Sequence, residues 1–195
     1  MNKKDLKLFI NIPTLNTERL ILRKIEKSDL NDVHDYASDP EVSKFLLWNP
    51  HQSIEFTKLY LKTVSSFYKK GIFYDWGIVD KKSGKLIGTC GFTDIDVKNE
   101  SAEVGYVLNR NFWGQKIAKE ALLRVLEFGF VTLGLNRIEA RFLIENERSR
   151  RVLEKCGMKY EGTLKDAIKV KGKFKTISIF AITKKEYSFI LREKI

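Results

Sequence analysis

Apolar positions recur along the chain with two different periods, and the change from one to the other predicts the order of elements. Leu20 to Leu22, an apolar run between Arg19 and Arg23, reads as a first strand. Leu30, Val33 and Ala37 follow at helical spacing behind Ser28 or Asp29, either of which can cap the helix start. Asp39 and Pro40 restart a short helix carrying Val42, Phe45 and Leu46, with proline at the first position, where its missing N–H costs nothing. Ser53 opens a longer helix to Lys70, stopped by Gly71. Its predicted inner stripe is Phe56, Leu59, Tyr60, Val64 and Phe67.

The period then becomes two. Ile72, Tyr74, Trp76 and Ile78 alternate, Asp80 to Gly84 makes a hairpin turn, and Lys85 to Thr93 returns. Asp94 to Glu100 turns again, and Ala102 to Leu108 completes a meander. Gly105 inside that strand predicts a bulge or a close backbone approach. Helical spacing resumes from Lys116 to Leu133, with Ala118, Ala121, Leu122, Val125, Leu126 and Gly129 inward and Glu120 spaced to pair with Arg124. Arg137 to Ile144 alternates as a strand. Asn146 caps another helix, with Val152, Leu153 and Cys156 inside and Gly157 as its end. Strands begin at Met158 and span Phe174 to Thr183, and Lys184 to Ile195 closes with a short helix. Runs of strands beside two strand–helix–strand passages predict a mixed α/β sheet. No linker, repeat or low-complexity tract divides the chain, so residues 1–195 read as one domain behind a frayed lead-in, residues 1–12.

Composition narrows the function. With 195 residues, 43% of them hydrophobic, the chain can bury a real core. The net charge of +11 favours an acidic partner: a phosphorylated ligand, nucleic acid or a membrane surface. The lysines are spread along the chain rather than gathered in one arm, which points to a solvated basic surface. No apolar run approaches the roughly 20 residues of a membrane span, and Met1 to Phe9 lacks the apolar core of a signal peptide. Cys90 and Cys156 lie in apolar segments and read as buried, reduced thiols of a cytoplasmic protein. With His34 and His51 they make no typical zinc site, so no metal is expected.

The candidate chemistry sits at the junction from Asn109 to Ala121, between the strand ending at Leu108 and the helix beginning near Ile117. A strand that turns tightly into a helix leaves the first helical N–H groups unpaired at the positive end of the helix dipole, an anion site. Small Gly114 and Ala118 let a ligand approach the backbone there. An ordinary strand-to-helix connection would show the same pattern.

Four segments carry a resemblance. Trp113 to Ala121 resembles the pyrophosphate-binding turn of the GNAT superfamily of N-acetyltransferases, in particular its RimJ/RimL branch, the ribosomal-protein N-terminal acetyltransferases. Thr17 to Arg23 resembles that branch's opening strand, Ala102 to Leu108 its central strand, and Asn146 to Met158 its second cofactor segment. The resemblance implies the GNAT fold: a mixed, mostly antiparallel seven-stranded sheet, splayed at its centre and flanked by helices. It implies acetyl-CoA as co-substrate, held by Val107, Leu108, Trp113, Gly114, Gln115, Lys116, Ile117, Ala118, Lys119, Asn146 and Ser149, with the pantetheine arm in the wedge. Trp48 and Tyr106 are candidate walls of the acceptor pocket; Trp48 can equally pack under its own loop. Backbone N–H groups near Val107 and Leu108 would stabilise the oxyanion.

Acetyl transfer needs a base for the amine and a proton for the leaving thiolate, and no nucleophilic cysteine. Alternation puts Glu103, Gly105 and Val107 on one face of their strand, and Glu103 is the preferred base. It can equally be a solvent-facing strand residue. Ser149 resembles the family serine near the cofactor sulfur; hydrogen bonding at a helix start is its structural alternative. The acceptor implied is a protein N-terminal amine; a small-molecule amine, or a non-catalytic CoA- or nucleic-acid-binding module, are the alternatives. Neither membrane nor direct nucleic-acid binding is expected, and the family leaves room for a homodimer. One departure stands out: Lys116 occupies a position where these enzymes usually have glycine. A helical conformation at Lys116, with its ammonium beside a phosphate, is the expectation.

Overall fold

The computed structural model describes residues 5–192. One sheet of eight strands organises it: β1 (Leu15–Asn16), β2 (Leu20–Arg23), β3 (Tyr74–Asp80), β4 (Leu86–Asp96), β5 (Ser101–Leu108), β6 (Arg137–Leu143), β7 (Lys159–Val170) and β8 (Lys173–Thr183). Their order is β1-β2-β3-β4-β5-β6-β8-β7, and every pairing is antiparallel except β5 with β6. The eighth strand, beyond the seven anticipated, is the two-residue β1, too short to leave an alternating signature. The helices are α1 (Leu30–Ala37), α2 (Pro40–Ser43), α3 (Ile54–Lys70), α4 (Ile117–Glu127), α5 (Glu147–Lys155) and α6 (Lys184–Arg192).

The sheet splits at its centre. β5 pairs with β6 only through Ser101, Glu103 and the residue between them, against Arg137 to Glu139. Beyond Glu103 that edge of β5 has no strand partner, while β6 stays zipped to β8 along its whole length. On its other side β5 remains paired with β4 as far as Leu108. A wedge therefore opens between two halves of one sheet. The bulge anticipated at Gly105 lies on the neighbouring strand, where the register shifts between Phe92 and Asp94; a Cβ on Gly105 would meet Thr93 Cγ2 at 2.9 Å.

Several helical expectations change. In the lead-in, Asp5–Asn11 forms a 3-10 helix, and Phe9 is fully buried with its ring centroid 4.7 Å from that of Tyr74 and 5.8 Å from that of Trp76. This part of the lead-in is thus a plug in the core rather than a frayed end; residues 1–4 lie outside the described residues. In α3 the buried stripe is Thr57, Leu61, Val64 and Tyr68. Phe56 and Leu59 are 52% and 61% exposed. Polar anchors fix this rotation: Thr57 Oγ1 is shared by His34 Nδ1 (2.8 Å) and His51 Nδ1 (2.9 Å), and the Tyr68 hydroxyl donates to the Asp75 carbonyl (2.6 Å). The anticipated helix to Leu133 turns π-helical over Phe128–Thr132, where Phe128 and Phe130 are both buried. Glu120 does not pair with Arg124, which meets Glu127 at 3.2 Å.

Candidate active site

Beyond β5 the chain turns sharply into α4. The Asn109 side chain accepts from the Asn111 amide (3.0 Å) and donates to Asp35 (2.6 Å), fixing the strand end against α1. Gly114 and then Lys116 take positive φ, +77° and +63°. Lys116 is therefore left-handed, not helical as expected: it adopts the conformation that glycine favours, at a cost of order 1 kcal/mol or more. Its carbonyl accepts the first helical bond, from Glu120 (3.1 Å), and its side chain makes no cap. The amides of Ile117, Ala118 and Lys119 stand at the helix start, where the preceding turn of helix that would accept from them is missing.

The turn is braced from behind. Glu120 accepts from Thr17 Oγ1 (2.5 Å), from the Arg19 amide (2.9 Å) and from Arg19 Nε (2.7 Å), while Arg19 also donates to the Gln115 carbonyl (3.1 Å). Burial pushes the Glu120 carboxyl up, but these bonds outweigh it and leave its pKa below the usual glutamate value. Gln115 turns its own side chain back to the Asn111 carbonyl (2.9 Å) and does not line the cleft. Sequence reasoning missed this brace, because nothing local to Arg19 points to a partner so far along the chain.

In front of the turn lies a cleft of about 770 Å³, continuous with the wedge. Tyr106, Val107 and Leu108 line it from β5, Gly114 and Lys116 to Lys119 from the turn, and Asn146 and Ser149 from the start of α5. Val42, Phe45 and Leu46 contribute an apolar wall that the sequence reading did not anticipate. Lys116, Lys119, Arg151 and Lys155 put positive charge around it, against Glu41, Glu145 and Glu147. Trp113 Nε1 donates to the Leu108 carbonyl (2.8 Å), and the Arg148 guanidinium sits 4.2 Å from the Trp113 ring centroid. A cation at a helix N-terminus with free amides suits a phosphorylated ligand.

The ladder also sorts the amides of β5. Asn109 N donates to the Ile87 carbonyl (2.7 Å), and the same register continues through Val107 opposite Thr89. In an antiparallel pair, alternate residues bond inward. The Val107 amide is therefore spent on β4, whereas the amides of Tyr106 and Leu108 face the wedge. Of the two oxyanion donors anticipated, only Leu108 is so directed. On the wedge's far side the Asn146 side chain accepts from the Ser149 amide (3.2 Å), capping α5, and Ser149 Oγ meets the Tyr106 hydroxyl at 2.9 Å. Burial raises the Tyr106 pKa well above the usual phenol value, so the hydroxyl keeps its proton.

A family model described as an acetyltransferase (GNAT) domain matches residues 19–159. The chain belongs to the GNAT acetyltransferases. Over 90% of its length it is 38% identical to an N-acetyltransferase of Bacillus licheniformis, p20, described as uncharacterized, covering 98% of that protein. It is 26% identical to the ribosomal protein uS5-alanine N-acetyltransferase of Escherichia coli, covering 91% of this chain and 95% of that one. The spermidine N-acetyltransferase of Vibrio cholerae, solved in complex with CoA and spermine, superposes with a TM-score of 0.76 at 22% identity, covering 88% of this chain and 99% of that one. The chain is thus a GNAT N-acetyltransferase that uses acetyl-CoA, and the free amides, the cations and the wedge fit a phosphorylated cofactor with a long arm. Among the described residues no group of three or more His, Cys, Asp or Glu is placed to hold a metal. None of the described helices is long and apolar enough to cross a membrane.

Two candidates of the GNAT site stand apart from the cleft. Glu103 is on β5, on the face opposite Tyr106, and its carboxylate lies 3.4 Å from Arg141 Nε. Burial raises its pKa and the Arg141 charge opposes the rise. Trp48 is partly buried against the core with its ring 5.7 Å from that of His51, as in the packing alternative. Neither lines the cleft.

Proposed function

We propose that the amine acetylated is a protein N-terminal α-amine, of the kind carried by ribosomal proteins. The observation that carries this reading is the state of the carboxylates near the wedge. Glu139 is bonded by Arg137 (2.9 Å) and Arg141 (2.9 Å), Glu161 by Arg137 (2.6 Å), and Glu103 pairs with Arg141. Acids already neutralised by arginines make a poor pocket for a polyamine and leave room for a peptide carrying one ammonium. An α-amine, with a reference pKa near 7.7–8.0, also asks less of a base than an alkylamine near 10.4. The kinship to the uS5-alanine enzyme supports the same class.

In this reading the Leu108 amide stabilises the oxyanion as the amine nitrogen bonds to the thioester carbonyl carbon. The C–S bond then breaks, and the Tyr106–Ser149 hydroxyl pair relays a proton to the thiolate, a weak base that needs only a weak acid. Glu103 is one carboxylate able to take a proton from the acceptor through water. Lys116, Ile117, Ala118 and Lys119 hold the cofactor phosphates. The test is free-thiol release from acetyl-CoA across peptides with free or blocked N-termini, spermidine and aminoglycosides. Turnover confined to free N-terminal peptides supports the proposal. Faster turnover of spermidine with no peptide activity replaces it with the small-amine reading, which the likeness to the spermidine enzyme favours.

A further inference from the structure

Arg19, in the bend between β1 and β2, holds two different parts of the turn into α4. Its amide and its Nε donate to the Glu120 carboxylate (2.9 and 2.7 Å), and Nη2 stands 2.6 Å from the same group. Its Nη1 donates to the Gln115 carbonyl (3.1 Å). A guanidinium can span both partners because its donors are fixed in a planar fork. Arg19 is itself anchored, since its carbonyl accepts from the Lys81 amide (2.9 Å) just after β3.

The bond to Gln115 fixes the direction of the next amide. The Gln115 carbonyl and the Lys116 amide belong to one trans peptide, whose C=O and N–H point opposite ways. Arg19 draws the carbonyl to the back of the turn, so the Lys116 amide is aimed to the front, where Lys116 lines the cleft. Among the described residues this amide has no acceptor. Left-handed Lys116 (φ +63°, ψ 11°) is followed directly by Ile117, the first helical residue of α4. Successive residues of opposite hand turn their N–H groups toward one point, an anion-binding concavity. The Lys116 amide therefore joins those at the helix start. A lysine gains by leaving the left-handed conformation. A flip of the Gln115–Lys116 peptide would then present a carbonyl oxygen, not an amide, to an anion in the cleft, and it would break the bond to Arg19.

Resting on the reading that this turn holds the cofactor phosphates, we propose that Arg19 is a positioning residue for phosphate: by holding the Gln115 carbonyl it fixes the Lys116 amide as a further phosphate donor. Glu120 brings a negative charge into the first turn of α4, and Arg19 also neutralises it. A lysine could supply that charge. It could not reach the Glu120 carboxylate and the Gln115 carbonyl together, because an ammonium is a single compact centre.

The test compares acetyl-CoA with S-acetylpantetheine, which carries the same thioester and arm but no phosphate. Both are assayed on whichever amine the wild-type protein turns over fastest, so a wrong acceptor class does not decide the outcome. One amide-to-phosphate bond is worth about tenfold in affinity. Arg19→Ala should weaken CoA binding, measured by calorimetry, and lower kcat/KM for acetyl-CoA, each by about tenfold. Turnover at saturating acetyl-CoA and turnover of S-acetylpantetheine should both stay at the wild-type level. Arg19→Lys should keep most of the loss. Equal losses for both thioesters with a lower melting temperature make Arg19 a support of the fold only and overturn the proposal. Full recovery with lysine assigns the effect to charge and overturns it too. A preference for acetyl-CoA that survives intact in Arg19→Ala overturns the proposal alone, whereas a wild-type protein without that preference refutes the phosphate site itself and the proposal with it.

Discussion

Lys116→Gly separates two effects that the turn combines. Lys116 is held at φ +63°, ψ 11°, a conformation costing a non-glycine residue roughly 1–2 kcal/mol. Glycine removes that strain but adds unfolded-chain freedom worth about 0.5–1 kcal/mol. The net stabilisation is about 0.5–1 kcal/mol, or about 1–4 °C in Tm for a chain of this size. Binding should move the other way. The lysine lines the cleft beside the orphan amides of α4, and its ammonium, partly screened, is worth about 0.2–1 kcal/mol to a phosphate. CoA should therefore bind about 1.4- to fivefold more weakly to the glycine variant. The salt dependence should become shallower between about 50 and 300 mM. Thermal melts and calorimetric titration at both salt concentrations measure all three quantities. A glycine variant that melts lower contradicts the left-handed assignment. One that binds CoA more tightly and turns over faster shows that the lysine obstructs the phosphate site.

Two further outcomes test other parts of the site. Ala118→Leu places bulk over the free amides of α4 and should weaken CoA binding tenfold or more while leaving the melting temperature within a degree or so of wild type; unchanged affinity removes this turn from the cofactor site. Glu103→Gln should lower kcat toward the smaller end of about 10²–10⁴-fold with normal CoA affinity, and wild-type turnover at every pH would end its role at the acceptor.

Local signals carried much of the fold. Alternation located β3 to β5, and Ser53, Asn146 and Gly71 marked the helix ends where the structure has them. Long-range choices left no such trace. The α3 sequence offers two apolar stripes, and Thr57 and Tyr68 decide between them through bonds to His34, His51 and Asp75. Phe9 is apolar in a charged lead-in, and only the pocket between Tyr74, Trp76 and Phe128 explains it. The tight turn into α4 was legible because glycine, small residues and a helix start lie within ten residues of one another. The left-handed backbone at Lys116 was not, because lysine gives no hint of positive φ.

The acceptor is the claim on which the rest turns. A single peptide carrying one free α-amine and one internal lysine, incubated with acetyl-CoA and fragmented in the mass spectrometer, reports directly where the acetyl group goes. Acetylation of the α-amine alone is the predicted result; acetylation of the lysine, or of neither amine while spermidine is consumed, would contradict the account.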